Sequence, residues 1–180
     1  MSGEAGSYPE PAERFFIVRP MRVAVAVDHA GFPLKNVILP LLQQGGHDVI
    51  DCGTGSEDSV DYPVYAARAA QLVSSGEADR AVVACGSGAG VNIVANKFTG
   101  VRALNARDSE DAEMGRRHND INVLTLAGRR LDGDEARGIV ETFLYTEFEG
   151  GRHQRRVDQI TGIEGGQLPP ESEAKLERSS

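Results

Sequence analysis

The sequence predicts an α/β protein in which a parallel sheet carries helices on both faces. Two observations lead to this fold class. Short apolar runs alternate with longer segments of helical periodicity, and glycine or proline residues stand between many of them. Such alternation is typical of β-α-β units, whose crossover helices join parallel strands. These sheets bind ligands beyond the carboxyl ends of their strands, so functional residues are expected there.

Apolar runs rich in valine, leucine, isoleucine and alanine are predicted to be strands. In chain order they cover residues 22–27, 47–51, 80–84, 101–106 and 122–127. The third run is the clearest, because it is apolar up to Cys85, as expected of a strand buried on both faces of a parallel sheet. A polar loop over 53–61 separates the second run from the helix that follows it.

The segments between and after these strands are predicted to be helices. In order they cover residues 34–44, 62–74, 91–97, 109–118, 134–147 and 152–160. Pro33 stands where the start of a helix favours proline, and Gly45 and Gly46 end the same helix. Gly150 and Gly151 separate the last two helices. Five strands with helices on both faces make a Rossmann-like three-layer sandwich, here with an extra C-terminal helix.

The composition is that of one globular domain. The chain has 180 residues, 40% of them apolar, which is enough for a single core. Residues 21–163 are predicted to form the domain, with a flexible extension over 1–20 and a disordered tail over 164–180. The formal net charge of −8 argues against a general binder of nucleic acids or membrane surfaces. No apolar run is long enough for a membrane-spanning helix or a signal sequence, so a cytoplasmic protein is predicted.

The most informative segment is the glycine-rich stretch after the third predicted strand. Cys85 ends the apolar run, and Gly86, Gly88 and Gly90 follow at alternate positions. Glycine lets the backbone approach an anion closely, so this segment is typical of an anion cradle, and a thiol at its edge can act as a base or a nucleophile. The alternative is a structural turn with a buried cysteine. The other cysteine, Cys52, completes neither a disulfide framework nor a zinc motif.

Other polar residues are expected to gather near this segment. Asp28 and His29 follow the first strand, Arg129 follows the fifth, and His118 and Asn119 end the helix before the fifth. We expect all of them at the carboxyl edge of the sheet, beside the thiol. Each type also has a structural interpretation, because an aspartate can cap a helix, a histidine can complement the dipole at a helix C-terminus, and an arginine can be solvated.

The strongest basic cluster of this acidic chain lies in its last predicted helix. Arg152, Arg155 and Arg156 would share one face of that helix, because they are spaced three and four residues apart. Guanidinium groups can bind phosphate oxygens through two parallel hydrogen bonds. The cluster therefore predicts a phosphate site, and the alternative is an exposed face that pairs with Glu147 and Glu149.

Together, these groups fit proton transfer next to the carbonyl group of a sugar phosphate. The thiol removes a carbon-bound proton, and the loop amides stabilise the enediolate oxygen that develops. An imidazole moves hydroxyl protons, while arginines hold the phosphate and orient the sugar. This chemistry requires no metal ion or other cofactor, so none is predicted.

A set of short segments extends this interpretation. In chain order they are 28–31 (DHAG), 61–63 (DYP), 85–88 (CGSG), 95–97 (ANK), 117–120 (RHND) with 122–124 (NVL), and 149–157 (EGGRHQRRV). In this combination and order, the sequence resembles the type B ribose-5-phosphate isomerases, which belong with the galactose-6-phosphate and allose-6-phosphate isomerases. The resemblance covers about residues 21–163.

The resemblance implies a Rossmann-like subunit in a homodimer, or a dimer of dimers, with active sites at the subunit interface. It implies that Cys85 moves a proton between C2 and C1, that Ser87 keeps a hydroxyl beside it, and that His118 assists ring opening. Asp28 would lie near the ring oxygen. The substrate-binding residues that it implies are His29, Tyr62, Gly86, Gly88, Gly90, Asn119, Arg129, Arg152 and Arg156. Some phosphate ligands would come from the neighbouring subunit.

Three alternatives stay open. The first keeps the reaction but changes the sugar to allose 6-phosphate, galactose 6-phosphate or erythrulose 4-phosphate, because residues 105–111 are more charged than the family pattern. The second is a dinucleotide-binding module, although the glycines are spaced G-x-G-x-G and follow the third strand instead of the first. The third is a sugar-phosphate sensor without turnover, against which the retained Cys85 and His118 argue.

Overall fold

Residues 19–168 of the chain are described by a computed structural model. Most of the predicted extension, residues 1–18, lies outside the described residues, and so does the predicted tail beyond Leu168. Within the described part, no helix combines the length and the apolar character that crossing a membrane requires.

The strands form one parallel sheet in the order β2-β1-β3-β5-β4. They are β1 (Arg22–Val27), β2 (Asp48–Asp51), β3 (Arg80–Cys85), β4 (Ala103–Asn105) and β5 (Val123–Ala127). The helices are α1 (Phe32–Gln44), α2 (Tyr62–Ser74), α3 (Ala89–Ala95), α4 (Ser109–Asn119), α5 (Gly133–Tyr145) and α6 (Arg152–Glu164). The prediction of an α/β sandwich with five parallel strands and an extra C-terminal helix is confirmed.

The edge strand β4 is shorter than predicted. The sequence predicts a strand over 101–106, whereas the ladder with β5 covers Ala103–Asn105. The backbone N–H of Arg102 donates to the side-chain Oδ1 of Asn122 at 2.8 Å. On the open edge of the strand, the side chain of Asn96 accepts from the N–H of Ala103 at 2.9 Å and donates to its carbonyl at 3.0 Å. Side chains therefore satisfy backbone groups just before this strand and along its open edge.

The last helix is longer than predicted. Helix α6 continues to Glu164, which is the first residue of the predicted tail. The Oε2 atom of Glu164 accepts a hydrogen bond from the N–H of Gly100 at 2.9 Å, so the final turn is tied to the loop before β4. The helix packs against α4 and buries His153 and Val157.

Alternate residues of β1 face two different cores. Val23, Val25 and Val27 pack with large apolar residues of α1 and α5 on one face of the sheet. Ala24 and Ala26 point to the other face, toward α2 and α3. The buried residues that α2 contributes there are also small: Ala66, Ala69 and Ala70. Since successive side chains of a strand point to opposite faces, this alternation places a large-residue core and a small-residue core on either side of the sheet.

Strands β1 and β3 are neighbours although β2 lies between them in sequence. The chain leaves β1 for β2 on one side and returns to β3 on the other. This reversal is a topological switch point, at which the loops after the two strands diverge and leave a crevice. Asp28 follows β1 and Cys85 ends β3, so both border that crevice.

Candidate active site

A cavity of about 460 Å³ lies at this switch point, at the carboxyl edge of the sheet. Its walls come from the loops after β1, β3 and β5 and from the start of α2. The lining residues are Asp28, His29, Ala30, Tyr62, Cys85, Gly86, Ser87, Gly90, Arg129 and Arg130. The structure therefore brings together most of the residues that the sequence predicts for the site.

Backbone contacts fix the three loops against one another. The N–H of Asp28 donates to the carbonyl of Ala84 at 3.1 Å, and the N–H of Gly128 donates to the carbonyl of Cys85 at 2.8 Å. Gly128 also packs so tightly that an added Cβ atom would collide with the carbonyl oxygen of Ala30. The absence of a side chain at this position lets the loops meet beneath the cavity.

Asp28 is 5% exposed and organises the first loop. Its Oδ1 atom accepts hydrogen bonds from the backbone N–H of Ala30 at 2.9 Å and of Gly31 at 2.8 Å. These contacts order the turn before α1, whose N-cap is Gly31, so Asp28 has a structural role in that turn but does not cap the helix. Asp28 also lines the cavity, and one carboxylate can serve both purposes because it has two oxygens.

Cys85 is 4% exposed, and its sulfur contacts the glycine loop. The backbone N–H of Gly88 donates to Sγ at 3.2 Å. Gly88 has a φ of 74°, a left-handed conformation that favours glycine and that turns the chain into α3. A thiolate accepts such an amide hydrogen bond more strongly than a thiol does. The glycine loop therefore supplies a backbone hydrogen-bond donor to the sulfur.

The other cysteine lies outside the cavity. The Sγ of Cys52 donates to the carbonyl of Val25 at 3.4 Å, at the end of β2. Burial and the neighbouring Asp51 raise the pKa of the Cys52 thiol to about 11, so this residue stays a neutral thiol near pH 7. It packs at the end of the second strand, as the sequence predicts.

His29 and Tyr62 border the cavity from the side of the polar loop. The Nδ1 atom of His29 accepts a hydrogen bond from the backbone N–H of Val60 at 3.3 Å, which leaves Nε2–H as the donor of the neutral ring. The ring of Tyr62 lies against Gly90, where an added Cβ would be 2.6 Å from Cζ. Both residues thus line the cavity, and the aromatic ring lies against the glycine loop.

Arg129 and Arg130 supply the positive charge of the cavity. The backbone N–H of Arg129 donates to the carbonyl of Gly86 at 3.2 Å, and its guanidinium lies over that glycine. Both arginines are exposed, and neither forms a salt bridge with another described residue. Arg130 is absent from the predicted site, although its position beside Arg129 directly after β5 was the available signal.

The expected place of His118 and Asn119 is wrong. They end α4, and in a parallel sheet a helix that precedes a strand returns the chain to the amino end of that strand. Strand β5 covers Val123–Ala127. With a rise of about 3.3 Å per residue, its two ends are roughly 13 Å apart. His118 therefore lies at the edge of the sheet opposite Cys85 in the same subunit.

The predicted arginine cluster lies with His118 and away from the cavity. Arg152, Arg155 and Arg156 are exposed at the start of α6, and Arg152 Nε donates to His153 Nε2 at 3.2 Å. We call these residues, together with His118, Asn119 and His153, the histidine–arginine cluster. The proposed pairing of the arginines with Glu147 and Glu149 is not what the described residues show, because Glu149 pairs with Arg117, whose Nε donates to Oε1 at 2.6 Å.

Two groups at this place, His153 and Glu149, have lowered pKa values. The ring of His118 stacks on that of His153 with 4.3 Å between centroids and 11° between planes. Burial, followed by the charges of His118 and Arg152, lowers the pKa of His153. Hydrogen bonding to Arg117 lowers the pKa of Glu149.

The two histidines of this cluster and the neighbouring Glu149 come close enough to share a metal ion. His118, Glu149 and His153 offer ligand atoms within 4.8 Å of one another. Two of them are already engaged, because Arg117 holds the carboxylate of Glu149 and Arg152 donates to the ring of His153. A metal ion would have to displace both contacts, so the donor set fits a cation poorly.

Comparison with known proteins identifies the family of the chain. Residues 23–160 match the profile of the family described as Ribose/Galactose Isomerase. Ribose-5-phosphate isomerase B of Escherichia coli K12 is 44% identical over 143 residues, which are 79% of this chain and 96% of the relative. A putative sugar phosphate isomerase of Bacillus subtilis is 43% identical over 80% of this chain and 97% of its own length.

Solved structures show the same architecture. Ribose-5-phosphate isomerase B of Clostridium thermocellum has a TM-score of 0.79 and 45% identity, covering 81% of this chain and 99% of that one. Ribose-5-phosphate isomerase B of Mycoplasma genitalium, determined with bound ribulose-5-phosphate, has a TM-score of 0.78 and 36% identity over 81% and 97% of the two chains. By its sequence segments, its fold and these similarities, the chain belongs to the ribose/galactose isomerase family.

Proposed function

We propose that the chain interconverts ribose 5-phosphate and ribulose 5-phosphate through an enediolate, with Cys85 as the base. The observation that carries the proposal is the position of the Cys85 sulfur, in a cavity between a glycine loop and two arginines. The name of the E. coli relative and the ribulose-5-phosphate bound to the M. genitalium structure support this pair of sugars.

The reaction begins from the open-chain aldose. The thiolate of Cys85 takes the proton from C2, and the electron pair of that bond forms a double bond between C1 and C2. The carbonyl oxygen on C1 becomes negatively charged, and backbone amides of the glycine loop over residues 86–90, one of which contacts the sulfur, stabilise that charge. Return of the proton to C1, with transfer of a hydroxyl proton from the oxygen on C2 to that on C1, gives the ketose. The exposed hydroxyl of Ser87 lines the cavity and is placed for this second transfer.

The phosphate of the substrate needs cations and donors at a fixed distance from the sulfur. Arg129 and Arg130 are exposed at the rim, and His29, with Nε2–H as its ring donor, lines the same cavity. Guanidinium groups match phosphate oxygens in geometry as well as charge. This anchoring uses the binding energy of the unreactive end of the sugar to orient C1 and C2 over Cys85.

We further propose that a second copy of the chain completes the site. The histidine–arginine cluster lies at the edge of the sheet opposite the cavity, so His118, Asn119, Arg152 and Arg156 cannot reach it within one subunit. A symmetric dimer that apposes the two edges would place the cluster of one subunit over the cavity of the other. In that arrangement His118 assists opening of the sugar ring, and Arg152 and Arg156 add to the phosphate ligands.

Subunit mixing tests this arrangement. The Cys85→Ala and His118→Ala variants should each be inactive alone. After dissociation and random reassembly, half of the dimers would contain one of each subunit, and each such dimer would have one intact site. Activity should therefore recover to about a quarter of the wild-type value. No recovery, with mixed dimers demonstrated by a tag on one subunit, would mean that each site uses one chain only.

Turnover of the purified, chelator-treated protein tests the reaction itself. Ribose 5-phosphate should be converted faster than allose 6-phosphate, galactose 6-phosphate or erythrulose 4-phosphate. Conversion of one of the other sugars alone would keep the mechanism and change the substrate. Inactivity toward all four would contradict the isomerase proposal and favour a sensor of sugar phosphates.

We also propose a cytoplasmic location. Cys52 and Cys85 are both free thiols, and a base that must remain reduced suits a reducing compartment. Fractionation of cells that express the tagged chain at native level would check this, with activity in the membrane or secreted fraction as the contradicting result.

A further inference from the structure

The side chain of Asn105 reaches the underside of the glycine loop from the carboxyl end of β4. Its Nδ2 donates to the backbone carbonyl of Ser87 at 3.2 Å. Its Oδ1 faces Gly88 so closely that an added Cβ on that glycine would collide with it. Asn105 begins the charged segment 105–111, whose departure from the family pattern the proposed reaction leaves unexplained.

The orientation of this carboxamide is set by the loop. If the side chain were turned over, Oδ1 would face the carbonyl of Ser87, and two acceptors would oppose each other. In the observed orientation Oδ1 is buried and has no hydrogen-bond partner among the residues that the structure describes. Leaving Oδ1 without a partner is unfavourable, so the hydrogen bond from Nδ2 to the carbonyl of Ser87 must outweigh this cost.

One peptide group connects Asn105 to the sulfur. The carbonyl of Ser87 and the N–H of Gly88 belong to the same planar unit and point in opposite directions. Asn105 holds the carbonyl at 3.2 Å, and the N–H on the other side donates to Cys85 Sγ, also at 3.2 Å. Glycine at the left-handed φ of 74° gives this peptide an alternative, because Gly88 can also adopt conformations in which the unit is turned over.

We propose that Asn105 is a positioning residue that locks the Ser87–Gly88 peptide with its N–H toward Cys85. Without this lock the peptide rotates in part of the population and presents its carbonyl oxygen to the sulfur. An oxygen in that place repels a thiolate, whereas the N–H stabilises it. Asn105 thus acts on the base through the backbone and does not itself touch the substrate. The effect on turnover rests on the proposed function, but the effect on the sulfur does not.

The test compares Asn105→Ala and Asn105→Asp with the matched control Asn96→Ala, all made in a Cys52→Ala background. Asn96 is also an asparagine that hydrogen-bonds to β4, but its side chain bonds to Asn92 and Ala103 and not to the glycine loop. The variants are assayed for kcat and KM, for the rate at which iodoacetamide alkylates Cys85, and for thermal stability.

Asn105→Ala should lower both kcat and the alkylation rate on the order of tenfold, with KM changed less than about twofold. Asn105→Asp should lower both further, because its carboxylate repels the carbonyl of Ser87. Asn96→Ala should lower the melting temperature and leave both rates near those of the parent. An unchanged alkylation rate in Asn105→Ala would overturn the proposal. It would also be overturned if Asn105→Ala and Asn96→Ala, at equal thermal stability, lost kcat and alkylation rate to the same extent. Alkylation needs no sugar, so it decides the role of Asn105 even if the parent converts no sugar phosphate.

Discussion

The imidazole of His118 lies parallel to that of His153, 4.3 Å away, beside the carboxylate of Glu149. Two imidazole rings at this separation repel each other if both are positively charged. His153 is the buried member of the pair, and its burial is the first cause of its lowered pKa. The stack therefore joins α6, through His153, to a residue that we place in the active site.

Stability should fall as the pH decreases below about 6.5, the ordinary pKa of histidine. The pKa of His153 is lowered in the folded protein, so in this range the unfolded chain binds more protons and gains stability from them. His47, lowered by burial and by Arg80, acts in the same direction. Urea denaturation at pH 7.5 and 5.5 measures the difference. His153→Gln and His47→Gln should each remove part of it, and an equal midpoint at both pH values would contradict this account.

Cys85→Ala should abolish turnover and retain binding of ribose 5-phosphate. The substitution removes the proposed base, and general base catalysis accounts for roughly 10² to 10⁴ in rate. The cationic rim with Arg129 and Arg130 remains, so calorimetric affinity should change little. Cys52→Ala is the control, because Cys52 lies outside the cavity. Turnover of Cys85→Ala within a factor of two of wild type would rule out its role as base.

Iodoacetamide at pH 7.5 should label Cys85 well before Cys52. With a pKa of about 11, fewer than about one Cys52 side chain in a thousand is a thiolate at this pH. Cys85 faces the cavity and accepts the amide of Gly88. Peptide mass spectrometry over a time course follows the two sites, and ribose 5-phosphate should slow labelling of Cys85 alone. Equal labelling rates would show that the glycine loop confers no special reactivity.

Arg156→Ala should raise KM on the order of tenfold and change kcat little, because a phosphate anchor acts in the ground state and the transition state alike. Arg155→Ala is the matched control, since Arg155 lies on the same exposed turn of α6 but is not among the substrate-binding residues that the family resemblance implies. Steady-state kinetics on ribose 5-phosphate separates the two. Equal changes in KM for the two variants would indicate that these arginines belong to an ordinary solvated helix face.

Gly128→Ala should destabilise the protein by about 1–3 kcal/mol, because overpacking forces the backbone to shift. The added methyl group would meet the carbonyl of Ala30, and a shift there moves the loops that carry Asp28 and Cys85. Gly55→Ala is the control, since an added Cβ there meets no atom within 4 Å. Chemical denaturation should separate the two variants clearly. Equal free energies of unfolding for the two variants would mean that the loops accommodate the methyl group without loss of stability.

Much of the fold could be predicted because local signals and tertiary structure agree. Strand β1 and helix α2 have the predicted bounds, since one is an almost continuous apolar run and the other follows a polar loop and has proline in its first turn. Asp28, Cys85 and Arg129 converge as expected, because each directly follows or ends a strand of a parallel sheet. Position relative to a strand end is information that the sequence carries.

The remaining features depend on relations between distant elements. Asn105, at the end of β4, contacts Ser87, after β3, although β5 lies between these two strands. The order of strands across a sheet cannot be read from their order along the chain. The predicted place of His118 is wrong because His118 ends a helix before a strand, whereas only residues after a strand lie at the carboxyl edge of the sheet. The pairing of Glu149 with Arg117 joins the loop before α6 to α4, a contact that helical spacing within α6 cannot indicate.

The difference between the two cores of the sheet has a consequence for how this protein can change over evolution. On the valine side, large residues can exchange with one another as neighbours repack. On the alanine side, α2 lies against the sheet through side chains that have no smaller apolar substitute except glycine. Tyr62 begins α2 and reaches Gly90 from there. The aromatic wall of the cavity thus belongs to the side of the sheet that tolerates the fewest substitutions. Changes in substrate preference are therefore expected more often in the loops that follow the strands, on the other walls of the cavity.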